Sequence, residues 1–90
     1  MALRKIGEPI RSLYSEHLDD LTTTGVWHQS ASSRASTSLG YPTGIAGLLE
    51  VHSPAGPMVY QRYTVYKSGD IYHRGRYRGV WADWKRLATT

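Results

Sequence analysis

"MVYQRYTVYKSGDIYHRGRY", residues 58–77, decides the fold of this chain. Its opening residues alternate. Val59, Gln61, Tyr63 and Val65 fall on one side of an extended strand, and Met58, Tyr60, Arg62, Thr64 and Tyr66 on the other. β-Branched and aromatic side chains predominate, as suits a pleated surface. "KSGD" offers a hairpin turn, and "DIYHRGRY", 70–77, returns as a second strand. "RG" turns again, and "VWADWKRL", 80–87, predicts a third. An antiparallel meander of three strands therefore closes the chain. On a regular strand Trp81 and Trp84 face opposite sides. That predicts one indole in the core and the other on a sheet face or subunit seam.

Upstream, "LLEVHS", 48–53, alternates around Leu49 and Val51 and reads as a strand. "PAGP", 54–57, is a turn. "GVWHQS", 25–30, reads as a strand entered from the turn cluster "DDLTTTG". "ASSRASTSLGYPTGIAG", 31–47, predicts a long loop with a short strand near 33–38. Before residue 18, Gly7 and Pro9 interrupt regular structure, while Ile10, Leu13, Tyr14 and Leu18 fit a helical turn. Residues 1–18 are thus expected to form a linker or short helix, and 19–90 a single domain. The fold class is all-β: a small antiparallel β-sandwich or knob, with no βαβ alternation.

At 90 residues the chain buries only about 60–65% of its unfolded surface. It has no cysteine, so disulfides do not reinforce the thin core. No apolar run reaches the ~18 residues of a membrane helix, and "MALRKIGEPI" lacks the apolar centre of a signal peptide. The net charge of +4 favours acidic partners such as nucleic acid, acidic polysaccharide or lipopolysaccharide.

Catalytic patterns are missing. The four histidines, His17, His28, His52 and His73, form no HxH, HxxxH or HExxH, so neither metal nor cofactor is expected. No GxSxG elbow surrounds any serine, and the carboxylates show no pairing pattern. "GYPTGIAG" is not followed by GK[ST], so it reads as a turn rather than a phosphate cradle. Binding, not catalysis, is the expected activity. Basic and aromatic residues interleave in "YQRYTVY" and "IYHRGRYRGVW". Such a pattern suits base stacking with phosphate pairing, or sugar stacking with arginine forks on acidic groups.

The ordered series "LTTTGVWHQS", "LGYPTGIAGLLEVHS" and "MVYQRYTVYKSGDIYHRGRYRGVWADWKRL" resembles the pyocin-knob family, over about residues 21–87. These are C-terminal modules of phage tail fibres, tailspikes and R-type pyocin fibres. Gly25 and Trp27 match the opening strand, Pro42 the loop proline, and Gln61 and Tyr63 the QRY strand. Gly79, Trp81, Trp84 and Leu87 match the closing signature. Thr24 stands where the family often has proline, and His73 where an aliphatic residue is usual.

The resemblance implies a knob domain over 19–90, with residues 1–18 as the junction to a fibre shaft or tailspike body. It also implies a homotrimer that recognises a bacterial surface glycan, carried on the virion and made in host cytoplasm. Candidate glycan contacts are Tyr41, Tyr60, Arg62, Tyr72, Arg74 and Arg76. The family position of Arg74 also suits a structural role. Two other readings are a trimerisation or capping module without receptor contact, and a small nucleic-acid-binding β-domain.

Overall fold

The computed structural model describes residues 10–54 and 56–87. Seven strands form a single sheet: β1 (Arg11–Ser12), β2 (Gly25–Gln29), β3 (Gly47–His52), β4 (Met58–Val65), β5 (Ile71–Tyr77), β6 (Val80–Trp81) and β7 (Lys85–Arg86). From β2 to β6 each strand pairs antiparallel with the next, and β7 pairs with β5. The all-β, antiparallel meander of the sequence is therefore present. β1 alone pairs parallel, with Arg11 opposite Trp27.

The register Leu49–Tyr63–Tyr72 and Val51–Gln61–Arg74 defines an inner face. Trp27, Leu49, Val51, Val59, Tyr63 and Val65 are buried there. The layer opposite is made of loops and 3-10 turns. Leu13 and Leu18 from the N-terminal segment, and Ala35 and Tyr41 from the long loop, complete the core. A loop layer brings many backbone carbonyls toward the sheet, and each needs a donor once buried. Two buried glutamines on the strands supply them. Gln61 Nε2 donates to the carbonyls of Leu18 (2.7 Å) and Leu21 (3.0 Å). Gln29 Nε2 donates to the Leu13 carbonyl (3.3 Å) and to the Tyr41 hydroxyl (3.1 Å). The Tyr63 hydroxyl donates to the Ile45 carbonyl at 2.7 Å.

Three local expectations change. Residues 1–9 of the expected junction lie outside the described residues, and no helix runs from Ile10 to Leu18. Arg11–Ser12 is a strand, and Leu18–Asp20 is one 3-10 turn capped by the His17 side chain. Its apolar residues spread because Leu13 and Leu18 both enter the core. The 33–38 segment forms no strand. Ser32–Arg34 and Thr37–Leu39 are 3-10 turns, with the Ser36 side chain capping the second. The closing strand is broken: residues 82–84 leave the sheet between β6 and β7.

Burial pushes the Tyr63 phenol up, with the Tyr41 ring adding a smaller effect. Tyr41 is also raised by burial, against the hydrogen bond from Gln29. The folded state thus holds both protons more tightly than the unfolded chain. Their contribution to stability is complete below pH ~10, the ordinary tyrosine value, and is lost as pH rises above it. A urea midpoint that falls between pH 9 and 11.5, and falls less in Tyr63→Phe, is the expected result.

Candidate functional site

The break after β6 sets the geometry around Arg74. With the strand interrupted, both indoles turn to the same side instead of opposite sides. The Arg74 guanidinium lies 4.1 Å from the Trp81 ring centroid and 4.5 Å from that of Trp84. Its Nε donates to Gln61 Oε1 at 2.9 Å, and its terminal nitrogen to Asp19 Oδ1 at 2.9 Å. Trp81 Nε1 donates to the Asp19 carbonyl (3.1 Å) and Trp84 Nε1 to the Gly40 carbonyl (2.7 Å). Burial pulls the guanidinium below the ordinary arginine value, and the Asp19 carboxylate works against that fall. Arg74 is therefore an internal pin. It ties β4, β5, the C-terminal segment and the 3-10 turn together.

The candidate glycan residues separate accordingly. Tyr41 is 2% exposed and Arg74 9%, both used within the chain. Tyr72 lies half-buried against the core. Tyr60, Arg62 and Arg76 remain accessible or partly so. Among the signature residues, Gly25 sits under the Trp27 ring, and Pro42 follows buried Tyr41 in the loop. Leu87 is exposed, and its backbone N–H extends the ladder to Ile71.

Tyr60 and Arg62 project from the outer sheet face, which no described segment covers. Two cross-strand rows meet there: Glu50–Arg62–His73 and His52–Tyr60–Gly75. His52, Tyr60, Arg62, His73 and Gly75 border a hollow of about 430 Å³. Arg62 makes no ion pair among the described residues. A second, more apolar cleft of about 690 Å³ shares Tyr60 and Gly75 with it. Its wall includes Met58, Tyr77 and Val80. The surface can stack flat apolar faces on tyrosine while arginine and histidine donate hydrogen bonds. His52, His73, Met58 and Tyr77 were not among the glycan contacts expected from sequence. Alternation about Tyr60 and Arg62, continued across the hairpin register, was the signal that could have found them.

No family model matches the chain, and no curated protein matches it significantly. Solved structures do. An N-truncated R2-type pyocin tail fibre aligns with 92% of the chain at 31% identity and TM-score 0.81. A C-terminal fragment of the Pseudomonas aeruginosa R2 pyocin fibre aligns with 96% at 30% identity and TM-score 0.80. The corresponding R1 fragment aligns with 87% at 31% and 0.77. The chain spans 34%, 25% and 21% of these three chains, respectively. With the ordered motifs of 21–87, these matches show that the chain belongs to the pyocin-knob family of phage-tail-like fibre modules.

Proposed function

We propose that this module is the receptor-recognising knob of a phage or phage-tail-like fibre. It works as a homotrimer, is joined to an upstream shaft, and binds a bacterial surface glycan such as lipopolysaccharide or capsule. The observation that carries this reading is the uncovered outer face, where Tyr60 and Arg62 stand beside His52 and His73 over a hollow. Arginine donates to phosphate or carboxylate on the glycan, and tyrosine stacks on sugar. The homotrimer draws support from exposed apolar residues at both lateral edges of the sheet: Ile10 and Tyr14 near β1, and Leu87 after β7. A cyclic assembly sets unlike edges against one another. The particle is assembled in host cytoplasm and released with the virion. The site is one of binding, without catalysis.

The test is adsorption of the full chain, confirmed as a trimer by light scattering, to host cells and to their purified surface polysaccharide. Tyr60→Ala and Arg62→Ala are each expected to weaken binding about tenfold, with unchanged melting temperature, because both side chains are exposed. A folded trimer that binds no host polysaccharide sinks the reading. It leaves the module as a fibre cap and register device.

A further inference from the structure

The outer row Glu50–Arg62–His73 continues across one more strand. His73 pairs with Lys85 of β7, and paired residues share a face, so Lys85 joins the row. Arg62, His73 and Lys85 are all exposed, and among the described residues none of them makes an ion pair. Glu50 is the only acidic residue in any of the seven strands. It stands opposite Arg62 in register, yet the two form no ion pair. Two cations thus flank an imidazole on a sheet face that offers them no counter-charge.

Exposed cations alone are ordinary surface. Gly75 sets this row apart. It lies two residues after His73 on β5 and opposite Tyr60. Neither backbone nor packing asks for glycine there. Its φ lies outside the left-handed region, and a Cβ would meet nothing nearer than the Val59 carbonyl at 3.8 Å. Glycine inside a strand weakens it and often marks the close approach of a ligand. Here the missing side chain helps to open the hollow of about 430 Å³ bordered by His52, Tyr60, Arg62 and His73. An aromatic ring and the donor row therefore border the same space.

We propose that the Arg62–His73–Lys85 row is a phosphate site, and that its ligand is a phosphorylated sugar stacked on Tyr60 over Gly75. Neighbouring strands lie about 4.8 Å apart, so Arg62 and Lys85 stand roughly 10 Å apart at the backbone, and both long side chains reach a group placed over His73. The guanidinium fork, a ring N–H of the imidazole and the ammonium then donate together. A phosphate has the oxygens and the charge to accept from all three, where a carboxylate has two oxygens and one charge. The Glu50 carboxylate repels the anion from the β3 side and sets it over β5. This inference rests on the glycan reading above. It adds Lys85 to the site and gives the ligand a class, phosphorylated rather than neutral or carboxylated.

The test follows the His73 ring signals by NMR in the full chain. Glucose 6-phosphate, inorganic phosphate, methyl glucuronide and neutral methyl glucoside are titrated separately. Glucose 6-phosphate is expected to shift the His73 signals saturably and to bind most tightly of the four. Lys85→Gln should weaken its binding at least about fivefold, with unchanged melting temperature because the side chain is exposed. Lys67→Gln, which removes an exposed cation from the β4–β5 turn, should leave binding unchanged, and Glu50→Gln should tighten it. Gly75→Val should abolish the preference for the sugar phosphate over inorganic phosphate in a protein that still folds.

Equal loss in Lys67→Gln and Lys85→Gln overturns the inference, because it reports net charge rather than a site. So does binding of the glucuronide, the neutral glucoside or inorganic phosphate as tight as that of glucose 6-phosphate. A single-stranded oligonucleotide that displaces glucose 6-phosphate at far lower concentration overturns it in favour of nucleic acid. Host polysaccharide binding that persists in Lys85→Gln but is lost in Tyr60→Ala sinks this inference and leaves the receptor reading. Glucose 6-phosphate binding without host polysaccharide binding does the opposite.

Discussion

Arg74→Ala should lower the melting temperature by about 12–25 °C. The substitution leaves buried Gln61 Oε1 without its donor, at about 1–3 kcal/mol. It also removes the cation held between two indoles, at about 0.5–1 kcal/mol for each ring or more where desolvated. The Asp19 contact adds little, because that carboxylate is 44% exposed. The total is about 3 kcal/mol, a large share of the ~5–15 kcal/mol that holds a domain together. For a chain of this length each kcal/mol moves the melting point by about 4–8 °C. Arg74→Lys should recover less than half of the loss. An ammonium keeps the charge but cannot lie flat between the rings while donating to both Gln61 and Asp19. Tryptophan fluorescence and circular dichroism during a thermal melt provide the check. A fall of under 3 °C would show that Arg74 is not the pin.

Gly47→Ala should be more damaging still, and a second glycine of the same sheet provides a matched control. Gly47 sits on β3 between Gln29 and Val65. A Cβ there would run into the backbone carbonyl of Thr64 and lie 3.0 Å from the Tyr63 ring. Backbone cannot rotate aside as a flexible side chain can. Relief requires β3 and β4 to separate, with loss of ladder hydrogen bonds and of the Tyr63 anchor to Ile45. A cost of about 4 kcal/mol or more follows, at the upper end for a single substitution. Gly75→Ala, on β5 of the same sheet, meets only ordinary contact distances. It should change stability by less than about 1 kcal/mol. Urea unfolding of the two variants separates a steric role from a general dislike of losing glycine. Equal effects would refute the steric argument.

These two residues also show what could be read from the sequence. The alternation within 58–66 and the turn at "KSGD" depend on neighbouring residues, so β4, β5 and their hairpin were legible. So was the strand around Leu49 and Val51. Residues far apart in sequence decide the rest. Gln61 and Leu18 pair across 43 positions, and Trp81 and Asp19 across 62. Nothing local announces that a loop layer will need glutamine donors on the strands. Nor does local pattern show that the chain leaves the sheet at 82–84, which brings both indoles onto Arg74. Strict alternation was the wrong rule there because the strand is interrupted. The candidate surface was half legible. Tyr60 and Arg62 share the outer face by alternation, whereas Tyr41 and Arg74 are chemically suited to a glycan but consumed by the fold.

The proposed recognition surface can be mapped in one measurement: an NMR footprint of the full chain, in the oligomeric state it adopts, on adding surface polysaccharide from a candidate host bacterium. A recognising outer face predicts perturbed signals at Tyr60, Arg62 and His73. The Trp84 indole, bonded to the Gly40 carbonyl inside the fold, stays in place. No perturbation at any polysaccharide concentration, or changes confined to the β1 edge around Ile10 and Tyr14, would contradict it.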